Sequence, residues 1–255
     1  MSDGFICVAS KSQAFYKMAT NLIESVKDYY PEAHCTLVTE RELLDGDERV
    51  ADNLILVPDG AFRDVQHRIK LWGMTQSPYD RTFYLDCDMQ VEHEDICTAF
   101  DQLGDNDLMF TELNEKRDAI FKDAVFPAGR FHLCGGICLY NNANPLVKEF
   151  MVDWWELYRK QHRREWWPTK PGTDEWDTYN YPHKEFSYWD QFTLWWLTNK
   201  VDKYKELKVA IFEDDARWNY YTRFDTLPFD VTEKPPIIIH YSNVPAKFQT
   251  YVGLQ

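Results

Sequence analysis

The first third of the chain alternates short apolar runs with amphipathic ones, and this rhythm constrains its fold more than any other feature. Phe5-Ile6-Cys7-Val8-Ala9 gives way abruptly to polar Ser10-Lys11-Ser12, as a buried parallel strand does at its carboxyl end. Phe15, Met18, Ala19, Leu22, Ile23 and Val26 then recur at three- and four-residue spacing until Pro31 stops the pattern, which predicts a helix with one apolar face. Strand-like runs follow at Cys35 to Thr39 and Leu54 to Val57, then a helical stretch through Val65, Ile69 and Trp72, then Thr82-Phe83-Tyr84-Leu85. Such alternation predicts βαβ units and a mainly parallel sheet, with the ligand crevice beyond the carboxyl ends of the strands.

Further along, strands are expected at Asp107 to Thr111 and Gly136 to Tyr140. Asn144-Pro145 is a capped helix start, and that helix runs through Trp154, Trp155 and Tyr158. Between Gln161 and Phe186 the periodicity collapses into a loop that is first basic and then aromatic. Ser187 opens another helix through Trp195, and Val209-Ala210-Ile211-Phe212 and Ile237-Ile238-Ile239 supply the last strands. The whole predicts one α/β domain over residues 1–255, with a mixed, mainly parallel central sheet flanked by helices.

Composition narrows the function. A hydrophobic fraction of 44% over 255 residues suits an ordinary folded enzyme. The formal net charge of -14 repels bulk nucleic acid and anionic membranes unless a local patch overrides it. Lys160, Arg163, Arg164 and Lys170, beside Trp166 and Trp167, form one such patch, which keeps a modified nucleobase in DNA open as an acceptor. With no apolar signal core and no run of membrane-spanning length, the chain reads as cytoplasmic. His132, Cys134 and Cys138 resemble a zinc set, but strand positions four apart lie roughly 13 Å from each other, too far for one tetrahedral ion unless Gly135-Gly136 bends the chain. Trp154, Trp155, Trp166, Trp167, Trp176, Trp189, Trp195 and Trp196 crowd one stretch; they fill a core, or they line a wall on which sugars stack.

The central motif is Phe83-Tyr84-Leu85-Asp86-Cys87-Asp88. Residues i and i+2 of an extended chain face the same side, so both carboxylates can meet one divalent cation at a strand end. A cation there can bind a donor's diphosphate and neutralise the departing nucleotide. His240, directly after the last apolar run, is a candidate third ligand. Mixed carboxylate and imidazole ligation points to Mn²⁺, with Mg²⁺ the alternative.

These residues resemble the GT-A glycosyltransferases of family 8, the glycogenin and bacterial galactosyltransferase group, over most of the chain. The nearest likeness is Arg68 to Val91, with Lys70, Tyr79-Asp80 and Asp86-Cys87-Asp88. Ala9, Ser10 and Tyr16 fall where that family begins its nucleotide contacts. Gly135-Gly136-Ile137 is similar to the Asn-Ala-Gly segment beside the sugar, and His240-Tyr241 to the terminal metal-binding histidine. Two departures stand out: Cys134 occupies a usual Asn position, and Ala246-Lys247-Phe248 replaces Lys-Pro-Trp one residue late.

The resemblance implies a retaining transfer from a nucleotide-sugar donor, UDP-linked, to a carbohydrate or other hydroxyl acceptor. Residues 1–92 would form the nucleotide-binding half, and residues 93–255 the acceptor half with the aromatic-rich loop 161–186. Asp190-Gln191 looks like the family's Asp-Gln pair at the anomeric carbon; alternatively Asp190 only caps a helix begun by Ser187. Lys70 and Arg68 would balance phosphate charge, or lie on an exposed helix face. Glu213-Asp214-Asp215 would supply the general base of an inverting reaction. Two rivals remain: a pyrophosphorylase, whose Gly-rich phosphate loop is missing at Ala9-Ser10-Lys11-Ser12, and a non-catalytic carbohydrate-binding protein, which leaves the βα frame before Asp86 unexplained.

Overall fold

The apolar opening run forms β1 (Asp3–Ala9), buried at every residue after Asp3. In this computed structural model the described residues are 1–62, 69–112, 133–163, 165, 190–221 and 234–241. The Ser12 hydroxyl accepts from the Ala14 amide at 3.1 Å and so caps α1 (Gln13–Tyr29), whose stripe of Ala19, Leu22, Ile23 and Val26 is buried. Next come β2 (Cys35–Thr39), β3 (Asn53–Leu56), α2 (Lys70–Thr75), β4 (Arg81–Asp86), β5 (Met89–Val91) and α3 (Ala99–Leu103). The second half adds β6 (Leu108–Glu112), β7 (Leu133–Asn141), α4 (Pro145–His162), α5 (Asp190–Lys200), β8 (Val209–Ile211), α6 (Asp215–Trp218), β9 (Tyr220–Tyr221) and β10 (Ile238–His240).

Seven strands form one sheet in the order β3-β2-β1-β4-β7-β6-β8. β1 lies parallel to β2 and β4, β2 to β3, and β6 to β8, while β7 runs antiparallel between β4 and β6. The mixed, mainly parallel sheet predicted from the sequence is therefore present. Each face is covered. Leu22 and Ile23 of α1, Phe100 of α3 and Trp218 of α6 pack with Phe5 and Phe83 on one side; Leu71 of α2, Trp154 of α4 and Leu194 of α5 pack with Ile6 and Tyr84 on the other. Each large side chain fully buried in these layers contributes about 1.5–3 kcal/mol. Among the described residues no helix is long and apolar enough to cross a membrane.

A small sheet of order β5-β10-β9 lies beyond the pattern legible in the sequence. The expected loop also begins late, because α4 continues through Gln161, fully buried, and ends at His162 with Arg163 as its cap. Arg164 and residues 166–189, Ser187 among them, lie outside the described residues, and with them most of the basic and aromatic stretch. Three tryptophans of that crowd are core: Trp154 is wholly buried, and Trp155 and Trp195 nearly so. Their sugar-stacking alternative is overturned. Because β7 stays in strand conformation through Gly135 and Gly136, the glycines do not fold Cys134 back onto Cys138, as a zinc site there would require; His132 is outside the described residues.

Candidate metal and donor site

Three elements converge on one point. Asp86 is the last residue of β4, Asp88 sits in the turn to β5, and His240 ends β10, opposite Met89 in the antiparallel β5–β10 pair. A bond from the Tyr241 amide to the Asp88 carbonyl, 2.8 Å, closes the arrangement. One ligand atom each from Asp86, Asp88 and His240 lie within 4.8 Å of one another. His240 Nε2 is 3.3 Å from Asp88 Oδ1, and its Nδ1 is 2.9 Å from Asn219 Oδ1. Burial by itself pushes the Asp88 carboxyl up, but the His240 ring in its protonated form, and more weakly Lys70, outweigh it and hold the group below the usual carboxylate range.

Behind this trio lies a buried ammonium. Lys70, in the first turn of α2 and only 5% exposed, is 3.0 and 3.1 Å from the two oxygens of Asp86, and it donates to the Gly135 carbonyl at 3.1 Å. Asp190 Oδ2, at the start of α5, lies 3.1 Å from the same Nζ. The alternative of an exposed helix face for Lys70 is thus overturned. Tyr84, two residues before Asp86 in β4, donates a hydroxyl bond to Asp86 Oδ1. Asp86 and Asp190 both pair with this one ammonium, while Asp88 lies beside His240; carboxylates gathered this closely suit a divalent cation. Two carboxylates and an imidazole are also a donor set suited to Mn²⁺.

The glycine pair makes this approach feasible. A β-carbon at Gly136 would lie 2.7 Å from Asp86 Oδ2, and one at Gly135 would lie 2.9 Å from Asp190 Oδ2. Any side chain on either residue would displace a carboxylate. Asp190 is completely buried, its carbonyl accepting from Trp154 Nε1 at 3.1 Å, and its carboxylate turns toward Lys70. Neighbouring Gln191 is half-buried, and its side-chain oxygen has no hydrogen-bond partner among the described residues.

The remaining candidates spread more widely. Val8 pairs with Asp86 across β1 and β4, so the strand bearing buried Ala9 and Ser10 ends beside the carboxylates. Tyr16 is wholly buried in the α1 layer and donates its hydroxyl to Glu48 at 2.8 Å; burial, then Glu48, push the phenol well up. Cys87, between the two acids, has its thiol pushed well up by burial. Asp215 Oδ2 accepts from the Glu112 amide at 3.0 Å, Asp214 pairs with Lys234 at 2.9 Å, and the Glu213 amide bonds Gln102, so this acidic run braces β6 and the approach to β10. Lys247 and Arg68 lie outside the described residues. Four residues escaped the sequence reading: Tyr84, Thr111, Asn219 and Tyr221. Only Tyr84 carried a signal, because position i−2 of a strand shares a face with Asp86.

No protein-family model and no curated protein matches the chain. Solved structures do. A galactosyltransferase, LgtC, in complex with donor and acceptor sugar analogs, matches over 99% of this chain and 95% of its own at 15% identity and TM-score 0.57. A glycosyltransferase involved in glycosylation of the major capsid of PBCV-1 matches over 99% and 100% at 12% identity and TM-score 0.52. This chain has the GT-A fold. The glycosyltransferase GlyE of Streptococcus pneumoniae TIGR4 extends the likeness, with TM-score 0.59, 15% identity and 94% of this chain covered; the chain spans 54% of GlyE's length. In the GT-A chain described here, β4, α2, α5 and β10 together carry the acidic centre.

Proposed function

We propose that this chain transfers a sugar from a nucleotide diphosphate donor, UDP-linked, to a hydroxyl acceptor, with retention of configuration and with Mn²⁺ as cofactor. The observation that carries the reading is the meeting of Asp86, Asp88 and His240 within 4.8 Å, backed by Lys70 and Asp190. Bound there, the cation would offset the charge that builds on the leaving nucleotide diphosphate. Lys70 acts from behind, holding Asp86 and Asp190 on either side of one ammonium, so both carboxylates keep fixed positions before any ligand arrives. Gly135 and Gly136 present bare backbone to the sugar. Asp190 and Gln191 would then face the anomeric carbon, Gln191 with an unpartnered oxygen and Asp190 with a carboxylate already neutralised by Lys70. One LgtC structure is of an active-site mutant in which glutamine is replaced by glutamate, which supports a working role for a glutamine in this fold. Ala9, Ser10, Tyr16, Cys87 and Lys247 complete the proposed donor contacts, and residues 1–92 and 93–255 serve donor and acceptor respectively.

A panel of UDP-sugars incubated with the protein and Mn²⁺, with nucleotide release and product stereochemistry measured, tests this directly. Release of UDP from one donor, abolished by a chelator and restored by Mn²⁺, is the expected result. Release of nucleotide triphosphate on adding pyrophosphate, or no turnover of any nucleotide sugar, would overturn the reading.

A further inference from the structure

We propose that Asn219 is a positioning residue for His240: it holds the imidazole in the tautomer protonated on Nδ1, turns the Nε2 lone pair toward Asp88, and so sets how tightly a divalent cation binds. The affinity part rests on the metal reading above; the tautomer part does not. Asn219 caps α6, its amide bonding the Asp215 carbonyl at 3.1 Å, and is 7% exposed. Arg217 ties that helix to the chain entering β10, donating to the Pro235 carbonyl at 2.7 Å and to Asp95 at 2.8 Å and accepting from the Ile237 amide at 2.8 Å. These backbone and guanidinium links fix Asn219 against His240.

The polarity of the contact follows from a chain of buried groups. Asn219 Nδ2 donates to Thr111 Oγ1 in β6 at 2.8 Å, and Thr111 is completely buried. With its donating end used, the amide presents Oδ1 to His240 Nδ1 at 2.9 Å. A carbonyl oxygen only accepts, so Nδ1 carries a proton, and in the neutral ring Nε2 bears the lone pair. That lone pair faces Asp88 Oδ1 at 3.3 Å, where two acceptors repel unless a proton or a cation lies between them. Tyr221, opposite His240 in the β9–β10 pair, stacks on the ring with centroids 4.2 Å apart and fixes its plane. Partners that orient a ligating histidine this way govern metal affinity by about 10–100-fold.

Protein carrying ¹⁵N-histidine, metal-free and at mildly alkaline pH, reads the tautomer through long-range ¹H–¹⁵N spectra, with His240 assigned by its loss in His240→Gln. Wild type should show Nδ1 protonated, Asn219→Leu should shift His240 toward the Nε2-protonated form, and Asn219→Asp, which can only accept, should retain the wild-type form. In a Mn²⁺ titration followed by electron paramagnetic resonance, Asn219→Leu should bind about 10–100-fold more weakly and Asn219→Asp within a few-fold of wild type. If Asn219→Leu does not fold, Thr111→Val replaces it: freeing the amide should mix the two tautomers. An Nε2-protonated His240 in wild type, or an unchanged tautomer in Asn219→Leu or Thr111→Val, overturns the proposal. Wild type with the Nδ1-protonated form but no Mn²⁺ binding overturns the metal reading and leaves the tautomer assignment standing.

Discussion

A β-carbon at Gly136 would meet Asp86 Oδ2 at 2.7 Å and Met89 Cε at 3.2 Å. Gly136→Ala should therefore move Asp86 off Lys70, costing about 1–3 kcal/mol as an overpacking change and on the order of 10-fold or more in donor turnover. Thermal melting and steady-state kinetics on the same preparation check it; full activity in a stable variant would show that the placement of Asp86 does not matter. The Asp86-Cys87-Asp88 spacing and His240 at the end of an apolar run were legible because strand geometry alone aligns alternate residues. Lys70 was legible as a charged residue on a helix, balancing phosphate or exposed, but its burial was not. Its partners Asp190 and Gly135 are more than sixty residues away in sequence, and no local pattern encodes such a meeting.

Long elements announced themselves, and so did the short apolar runs of β8 and β10, whereas β5 and β9 did not. β1, α1, β2, β4 and α4 each carry enough turns or alternations to show a period, whereas β5, β9 and β10 are two or three residues long and pair only with one another, in a register that no local pattern encodes. Yet this small sheet delivers His240. How elements are tied is testable at Asp52, which accepts from the Cys35 amide at 2.8 Å and from Lys27 at 3.1 Å, joining β2 and α1 to the start of β3. Burial pushes its carboxyl up, but the Cys35 amide and then Lys27 outweigh this and leave it depressed. A depressed carboxyl stabilises the fold above its unfolded value, near 4, and loses that contribution as pH falls through its folded value. Wild-type stability should accordingly decline below about pH 4 partly through Asp52, and Asp52→Asn should be less stable at neutral pH with a shallower acid decline. Denaturant melts across that range check this; parallel curves for the two proteins would contradict it.

Across the whole molecule, six cysteines stand free: four in strands, Cys87 in the turn after β4 and Cys97 exposed in the short helical segment Glu94–Thr98. Burial pushes the Cys35 thiol up to about 12 and those of Cys7, Cys87 and Cys138 well above the usual value, while Cys97 is exposed. A thiol reagent at neutral pH should modify Cys97 first and the others only after denaturation; mass spectrometry of the labelled protein reads the site. The acidic centre sits in a chain of net charge -14, so cations are drawn to it and polyanions are not. The most direct test of the account is equilibrium Mn²⁺ binding to wild type and to Asp88→Asn, with folded content followed in parallel. The account predicts one Mn²⁺ site in wild type, weakened by about 10–100-fold in Asp88→Asn while the variant stays folded, because a partly exposed carboxylate in a turn adds little to the apolar core. Equal Mn²⁺ affinity in the two proteins, or none in wild type, would contradict it.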